Sequence, residues 1–396
     1  MTHSDDNEAA EAEARPLSGS GRRPLEGVRV VELARILAGP WAGQVLADLG
    51  AEVIKIEAPE GDDTRGWGPP FVNRADGSRE AAYFHAANRG KTSITADLKS
   101  EEGRARVIDL VRGADVLIEN FKVGGLSKYG LDYESLKEVN ERLIYCSITG
   151  FGQTGPYRHR AGYDFMIQGM AGIMDLTGDP EGEPQKMGVA FADIFTGLYS
   201  VIGIEAALLE RGRTGRGCHI DMALYDCMAG VLANQAMNYL VSGKAPRRLG
   251  NAHPNIVPYQ VFQVADGHLI VAVGNDRQFR ALAEIIGLAA LGTDPAYATN
   301  EARVANRGAL IALLAPAIAR FERDALLALL EERSVPAGPI NTVADVFADP
   351  QILARQMKIE TADDQGTPIP GMRTPILFDG TPAIAERPAP RLGQDS

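Results

Sequence analysis

The chain has 396 residues, of which 45% are hydrophobic and 23% are charged. This length favours one large and one smaller domain, and the composition is typical of a soluble protein with a sizeable core. The formal net charge of −12 and the pI near 5.1 argue against nucleic acid or an anionic membrane as the main partner. An anionic ligand in a local basic pocket remains compatible with this charge.

The N-terminal segment and the cysteines bear on the protein's location. Residues 1–23 are rich in acids and contain no apolar run, so we expect a disordered tail and neither a signal nor a transit peptide. The three cysteines, Cys146, Cys218 and Cys227, show no ligand-like spacing. They predict a reduced, cytoplasmic protein without a disulfide framework or metal site.

Strands and helices alternate through the first half of the chain. Strand, helix and strand joined by short loops form a βαβ unit, which requires parallel strands. The predicted strands are "GVRVVEL", "EVIKIE", "TSITADL", "ADVLIEN" and "RLIYCSI", and the helices between them include "GPWAGQVLADLGA", "SEEGRARVIDLVRG" and "DYESLKEVN". We therefore predict a doubly wound, Rossmann-like α/β domain.

The second half predicts a smaller α/β domain and a returning segment. A D-G turn joins "YQVFQVADG" to "HLIVAVGND" as a hairpin, and helical regions follow near 277–286 and 301–333. A Pro-rich stretch then leads into further strands. The expected domains are a large one over 24–225, a small one over 226–344, and a return segment over 345–396 that packs on the large domain.

Asp193 stands out in "VAFADIFTG" (189–197), where a long apolar stretch predicts a buried helix that is too polar to span a bilayer. Two interpretations remain open. Asp193 could be the helix N-cap, accepting N–H bonds from Phe195 or Thr196. It could instead be a nucleophile, because carboxylates attack activated acyl groups, with Gly197 leaving room for substrate.

Other features suggest an anionic ligand without defining it. Basic residues recur at predicted strand ends and loops: Arg35, Lys55, Arg65, Arg89, Lys91, Lys99 and Lys128. They could surround an anion at the carboxyl edge of the sheet, or be ordinary surface charges. The first βα loop lacks GxGxxG, no GxSxG occurs, and the six histidines lack metal-type spacing. "GNAHPN" (250–255) is either an active-site flap or a linker turn.

Taken in order, several motifs resemble the family III CoA-transferases, the group of formyl-CoA and carnitine CoA-transferases. They are "PLEGVRVVELARILAGPWAGQVLADLGAEVIKIEAPEGDDTR", "NRGKTSITADLKSEEGR", "ADVLIENFKVGGLSKYGLDYESL", "RLIYCSITGFGQTGPY", "ADIFTGLYSVIGIEAALLERGRTGRG" and "VPAGPI". The resemblance extends from about Pro24 to "TPILFDG". It implies a homodimer of interlocked, ring-like subunits, each with a Rossmann-like large domain.

The resemblance also implies roles for individual residues. Asp193 would attack an acyl-CoA thioester, giving an aspartyl anhydride and then an aspartyl-CoA thioester. No cofactor beyond CoA itself is then needed. The family's CoA contacts carry over to Arg35, Ile36, Leu37, Ala38, Ala96, Leu98, Lys99, Asn120, Phe121 and Lys128, with Lys99 and Lys128 as phosphate partners.

The chain departs from some family patterns. Ala58 stands where formyl-CoA transferases have an Arg, and "GNAHPN" replaces a run of glycines, which disfavours formate and oxalate. The family also contains α-methylacyl-CoA racemases, whose catalytic His is replaced here by Tyr163. The transferase is therefore favoured, with a dicarboxylate such as succinate as a candidate substrate. Its contacts would come from Arg160, Tyr163, Gly250, Asn251 and His253. A non-catalytic acyl-CoA-binding protein is the remaining alternative.

Overall fold

The computed structural model describes residues 23–396, so the tail expected over 1–23 lies, except for its last residue, outside the described residues. Two compact units are formed. The first comprises the described residues up to Ala171, Gly188–Val231 and Phe347–Ser396, and the second comprises Gly172–Met187 and Leu232–Val346. The segment 172–187, expected in the large domain, thus groups with the second unit.

The strands, in chain order, are β1 (Arg29–Glu32), β2 (Glu52–Glu57), β3 (Phe71–Asn73), β4 (Arg79–Ala81), β5 (Lys91–Thr95), β6 (Val116–Glu119), β7 (Ile144–Thr149), β8 (His219–Ala223), β9 (Tyr259–Val264), β10 (Gly267–Ala272), β11 (Ala337–Pro339), β12 (Lys358–Ala362), β13 (Pro368–Met372), β14 (Leu377–Phe378) and β15 (Thr381–Pro382).

The helices are α1 (Ala38–Asp48), α2 (Ala82–His85), α3 (Glu101–Arg112), α4 (Tyr133–Leu136), α5 (Asp164–Met170), α6 (Ile173–Leu176), α7 (Phe191–Thr214), α8 (Leu224–Gly230), α9 (Ala233–Ser242), α10 (Asp276–Ile285), α11 (Asn300–Ala305), α12 (Arg307–Ile318), α13 (Arg323–Glu332), α14 (Val343–Ala348) and α15 (Pro350–Ala354).

A six-stranded parallel sheet forms the centre of the first unit, in the order β5-β2-β1-β6-β7-β8. This confirms the predicted α/β class with a parallel central sheet. Residues of its inner strands, such as Val30, Val31 and Leu117, are fully buried, as strands covered on both faces require. From β1 the chain continues to β2, toward one edge of the sheet, and from β6 it continues to β7, toward the other edge. A crevice therefore opens between the carboxyl ends of β1 and β6.

Helix α7 packs against α1 and buries only one side of its surface. Its buried residues are Ala192, Thr196, Gly197, Ser200, Val201, Ile204, Ala207 and Arg211. Ile202 and Leu209, in contrast, are 60% and 76% exposed, so the prediction of a buried helix holds for one side of α7 only. Among the described helices, α7 is the one long and apolar enough to span a membrane, judged by length and composition only.

Residues 347–396 bond extensively within the first unit. The Asp48 carboxylate accepts hydrogen bonds from the Thr374 hydroxyl (2.6 Å) and the Ala385 N–H (2.9 Å). Asp395 pairs with the exposed edge of β5, where its N–H donates to the Ser93 carbonyl and its carboxylate accepts from the Ser93 N–H, both at 2.9 Å. These contacts satisfy backbone groups that an edge strand would otherwise leave unpaired.

The second unit has a small antiparallel sheet, in the order β11-β10-β9, with the predicted hairpin between β9 and β10. Helices α10, α12 and α13 supply most of the rest of its core, through residues such as Phe279, Leu310 and Leu326. The helical region predicted over 301–333 is divided into three helices, α11 to α13. The guanidinium of Arg303 is buried in this core and bonds the backbone carbonyls of Val257 and Tyr297.

Candidate active site

A cavity of about 270 Å³ lies at the carboxyl edge of the parallel sheet, within the first unit. Its walls come from the β1–α1 loop, the segments after β6 and β7, and the first turns of α5 and α7. Nine of the predicted site residues line it: Arg35, Ile36, Leu37, Ala38, Asn120, Phe121, Arg160, Tyr163 and Asp193. Segments far apart in sequence therefore meet at the crevice between β1 and β6, the place where doubly wound sheets bind ligands.

The Asn120 side chain fixes the β1–α1 loop. Its Oδ1 accepts from the Arg35 N–H at 2.9 Å, and its Nδ2 donates to the Arg35 carbonyl at 2.7 Å. The next residue, Ile36, has a φ of 72°, which a β-branched residue rarely adopts. Its N–H donates to the Asp62 carboxylate at 3.2 Å and 3.3 Å. Strained backbone of this kind persists where its surroundings determine it, commonly at functional sites.

A buried ion-pair network around Lys55 supports the β1–α1 loop where the loop leaves β1. The Lys55 Nζ is fully buried and lies 3.2 Å from Glu32 Oε1 and 3.0 Å from Asp62 Oδ2. It also donates to the Ala34 carbonyl at 2.9 Å. Burial alone would lower the pKa of Lys55, but Glu32 and Asp62 outweigh it and raise that pKa. The ammonium is thus held charged, and it ties the base of the loop to β2.

This network corrects the hypothesis that basic residues surround an anion. Four of the seven predicted cations are buried or largely buried in ion pairs: Lys55 and Lys91 with Glu32, Arg65 with Glu57, and Arg89 with Asp48. Arg35 is more exposed and pairs with Asp63 at 2.8 Å, and Lys99 and Lys128 are exposed. Each of the four buried cations already has a carboxylate partner, so they are not available to an anionic ligand.

Four predicted CoA contacts lie outside the cavity lining. Ala96 is buried, and Leu98 packs against an apolar cluster that includes Ile56 and Val107. Lys99 directly precedes Ser100, the cap of α3, and Lys128 lies 4.7 Å from the centre of the Tyr129 ring. None of these four residues, Ala96, Leu98, Lys99 and Lys128, lines the cavity. Their contact with CoA stays a prediction.

The predicted flap residues Gly250, Asn251 and His253 belong to the second unit. The His253 ring lies 5.2 Å from that of Tyr259, and its backbone carbonyl accepts from Arg307 at 2.8 Å. Burial, and then the nearby Arg307 charge, lower the pKa of His253. The imidazole is therefore neutral at pH 7.

Asp193 is the third residue of α7, and of its two possible roles that of helix N-cap is wrong. The cap residue is Ala190, which has no side-chain acceptor. The Asp164 carboxylate takes that role, because its Oδ1 accepts from the N–H of Ala192 (2.8 Å) and of Asp193 (3.3 Å). A carboxylate two residues inside the helix start leaves these donors to a group from another segment.

The Asp193 carboxyl is partly buried at the cavity wall. Burial, and secondarily the charge of Asp164, raise the pKa of Asp193 to about 7. The group therefore exchanges between acid and carboxylate near neutral pH, unlike an ordinary aspartate. A weakly solvated carboxylate of this kind is a strong nucleophile or base, and such perturbed groups are typical of active sites.

Gly197 has a different role from the one predicted. A Cβ at this position would lie 2.7 Å from the Ala38 carbonyl oxygen and 3.1 Å from the Trp41 ring. The glycine therefore allows α7 to approach the start of α1 closely, rather than leaving room for substrate. This contact brings the first turn of α7 next to the β1–α1 loop.

Several cavity residues were not identified from the sequence. Lys122 and Arg158 line the cavity together with Arg35 and Arg160, giving a cationic wall that suits phosphate or carboxylate groups. Lys122 directly follows "ENF", and Arg158 lies in "PYRHR", so their position beside recognised motifs was the available indication.

Tyr83, on α2, is a further residue that was not identified from the sequence. Burial raises the pKa of its phenol, and the charges of Asp193 and Asp164 add to this rise, so Tyr83 lies near both carboxylates.

A second, smaller cavity of about 180 Å³ shares Lys122 and Val123 with the first. Its lining includes Glu119, whose pKa burial raises to about 7 although Ser147 and the Phe121 N–H favour its ionised form. Through the 2.8 Å bond from the Phe121 N–H, Glu119 helps to shape the segment after β6. Within residues 23–396, no group of three or more His, Cys, Asp or Glu side chains is arranged to hold a metal ion.

Comparison with known proteins identifies the family. The model of CoA-transferase family III matches residues 25–396. The chain is 60% identical to a succinate–glutarate CoA-transferase of Agrobacterium fabrum, over 94% of this chain and 93% of that protein. It is 42% identical to the human succinyl-CoA:glutarate CoA-transferase, over 94% of this chain and 84% of that protein.

Solved structures agree with this assignment. The crystal structure of a CAIB/BAIF family protein from Brucella suis is 66% identical and superposes with a TM-score of 0.84. The match covers 95% of this chain and 97% of that one. With a parallel sheet, a cationic crevice and a raised-pKa aspartate already in place, the chain belongs to CoA-transferase family III.

Proposed function

We propose that this CoA-transferase moves CoA between dicarboxylates, with succinyl-CoA and glutarate as the first pair to test, and that Asp193 is its nucleophile. The observation that carries the proposal is the Asp193 carboxyl, with a pKa raised to about 7 by burial and Asp164, at a cavity lined by four cationic side chains. The dicarboxylate substrates named for the relatives above support the choice of acids.

In the first half-reaction, an Asp193 carboxylate oxygen attacks the thioester carbonyl carbon of the acyl-CoA. The C–S bond breaks, CoA leaves as the thiolate, and an aspartyl–acyl anhydride forms. The thiolate then attacks the aspartyl carbonyl carbon, which releases the donor acid as a carboxylate and leaves an aspartyl-CoA thioester. No proton is gained or lost overall.

The second half-reaction reverses these steps with the acceptor. Its carboxylate attacks the aspartyl carbonyl carbon, expels the thiolate and forms a new anhydride. The thiolate attacks the acceptor's carbonyl carbon, and Asp193 returns as a carboxylate. Each intermediate is about as activated as the thioester that it replaces, so the reaction requires no cofactor beyond CoA.

The cavity walls suggest how the substrates are held. The β1–α1 loop, fixed by Asn120, would lie along CoA together with Phe121 and the segment from Ala96 to Lys99. Lys99 and Lys128 would bind phosphate groups. The residues predicted to contact the distal carboxylate of the acid are Arg160, Tyr163, Gly250, Asn251 and His253.

We also infer a homodimer of interlocked subunits, with a Rossmann-like large domain and a smaller α/β domain. The exposed apolar residues of α5 and α7, such as Phe165 (59% exposed), Ile202 and Leu209, support association with a second copy, because large exposed apolar patches mark interaction sites. The three cysteines are free, which supports a reducing, cytoplasmic location. Light scattering of the purified protein tests the dimer.

The deciding experiment supplies succinyl-CoA and isotopically labelled glutarate and follows labelled glutaryl-CoA by mass spectrometry. Wild type should form it, whereas Asp193→Asn should not. Hydroxylamine added with succinyl-CoA should modify the wild-type protein at Asp193 alone. Labelling at another carboxylate, or full transfer by the variant, would refute the mechanism.

Two alternatives predict other outcomes of the same assay. An α-methylacyl-CoA racemase would exchange the α-proton of a 2-methylacyl-CoA for deuterium and leave the labelled acid unchanged. Tyr163, where those enzymes have a histidine, argues against it. A non-catalytic acyl-CoA-binding protein would bind succinyl-CoA tightly and transfer CoA to no acid.

A further inference from the structure

We propose that Asp164 is a positioning residue that holds the first turn of α7, and with it the attacking carboxylate of Asp193, in place at the cavity. This inference rests on the proposed function, in which Asp193 is the nucleophile. It assigns Asp164 a mechanical role, through hydrogen bonds, and an electrostatic role, through its charge.

The mechanical role follows from the unmatched donors at the start of α7. The first N–H groups of a helix have no partner within it, and the cap residue Ala190 supplies none. Asp164 Oδ1 accepts from the N–H of Ala192 at 2.8 Å and of Asp193 at 3.3 Å. The second of these bonds fixes the backbone of the nucleophile itself.

The other carboxylate oxygen of Asp164 is also held. Gln168 Nε2 donates to Asp164 Oδ2 at 2.8 Å, and the Gln168 side chain is fully buried. Asp164 begins α5, which is anchored by Ile167 (0% exposed) and packs against α7. The carboxylate is therefore oriented by buried neighbours on its own helix, so it can impose a fixed position on the next one.

The electrostatic role follows from the shared cavity. Asp164 and Asp193 both line it, and the charge of Asp164 adds to burial in disfavouring the ionised form of Asp193. The other charged or titratable groups that line the cavity are Arg35, Lys122, Arg158, Arg160 and Tyr163, and Tyr83 lies close enough for the charges of Asp193 and Asp164 to add to burial in raising its pKa. The elements packed against α7 also carry Asp48, Tyr145, Cys146, His219, Asp221, Tyr225, Asp226 and Cys227.

Two substitutions separate the roles. Asp164→Asn keeps an oxygen that can accept both N–H bonds but removes the charge. We expect its kcat to stay within about threefold of wild type, while the acidic limb of its kcat/KM profile moves to lower pH, since that limb reports the free enzyme's nucleophile. Asp164→Ala also removes the bonds, and we expect kcat to fall on the order of 10- to 100-fold with KM for succinyl-CoA little changed.

Asp349→Ala is the matched control. Asp349 is itself the cap residue of α15 and likewise accepts from two N–H groups, those of Gln351 (2.8 Å) and Ile352 (3.3 Å), and it lies outside the cavity lining. This variant should keep wild-type kcat and pH profile. Thermal unfolding of each variant, measured in parallel, shows whether a loss of rate merely follows a loss of fold.

The results divide clearly. If Asp164→Ala lowers only the Tm and leaves kcat and the pH profile unchanged, the residue is structural and the inference fails. If Asp164→Ala does not fold, Asp164→Asn decides, and an unshifted acidic limb overturns the inference. If Asp193→Asn still transfers CoA, the proposed function fails instead, whatever the Asp164 variants do.

Discussion

The substitution Asp193→Asn should abolish CoA transfer and yet stabilise the fold above neutral pH. Burial, followed by the charge of Asp164, raises the pKa of Asp193 from 3.8 to about 7. A shift of about three units corresponds to about 4 kcal/mol at 1.36 kcal/mol per unit. Because the carboxyl is only partly buried, solvent screening reduces this penalty, and we expect a gain of about 2 kcal/mol in the variant.

The gain should depend on pH in a defined way. Below about pH 4 the aspartate is protonated in the folded and the unfolded chain, so wild type and variant differ little. Between about pH 4 and 7 the unfolded chain releases the proton while the folded one keeps it, so wild-type stability falls as the pH rises. Above about pH 7 the folded form is ionised too, and the difference reaches its plateau.

Thermal unfolding at about pH 4 and pH 8.5 measures this effect. For a chain of this size, about 2 kcal/mol corresponds to a rise in Tm of roughly 2–3 °C at the higher pH. Asp226→Asn, an exposed aspartate on α8, is the control and should behave like wild type at both pH values. A variant that is less stable than wild type at pH 8.5, or whose gain is the same at both pH values, would show that Asp193 is not an electrostatically strained group.

Three further substitutions test the framework around the site. Gly197→Ala should destabilise the protein by about 1–3 kcal/mol, because the new Cβ would lie 2.7 Å from the Ala38 carbonyl oxygen. The expected result is a lower Tm, and a Tm raised by the better helix propensity of alanine would contradict this contact. Asn120→Ala removes both bonds to the Arg35 backbone and should raise KM for succinyl-CoA about tenfold in steady-state kinetics, with an unchanged KM as the contrary result. Arg303→Met should lower the free energy of unfolding by about 2–4 kcal/mol in urea titrations, because buried carbonyls lose their donor; wild-type stability would argue against that role.

Much of the fold could be predicted from the sequence because its patterns are local. Strands such as "EVIKIE", helices with periodic apolar residues and short loops between them require a parallel sheet wherever they alternate. The prediction that Asp193 is the nucleophile came from the order of motifs. The raised pKa of this residue did not, because burial depends on segments far apart in the chain.

The errors over the basic residues and over the α7 cap share one cause, which is pairing over long sequence distances. Lys55, Arg89 and Lys91 looked like ligand cations because their partners, Glu32 and Asp48, lie 23 to 59 residues away. Likewise, the acceptor that caps α7 is 28 residues upstream of its first partner N–H. No periodicity or spacing rule indicates which distant carboxylate a buried donor will meet.

The first unit is built from segments on both sides of the second one in sequence, and this bears on how the protein is made. Asp395 and Ser396 bond to β5, whose partner residues precede them by about 300 positions. During synthesis, the second unit must therefore emerge before the edge of the central sheet can be completed. Until then, β5 exposes backbone donors and acceptors that can pair with another chain, so the period before closure is when the nascent protein is most prone to aggregate.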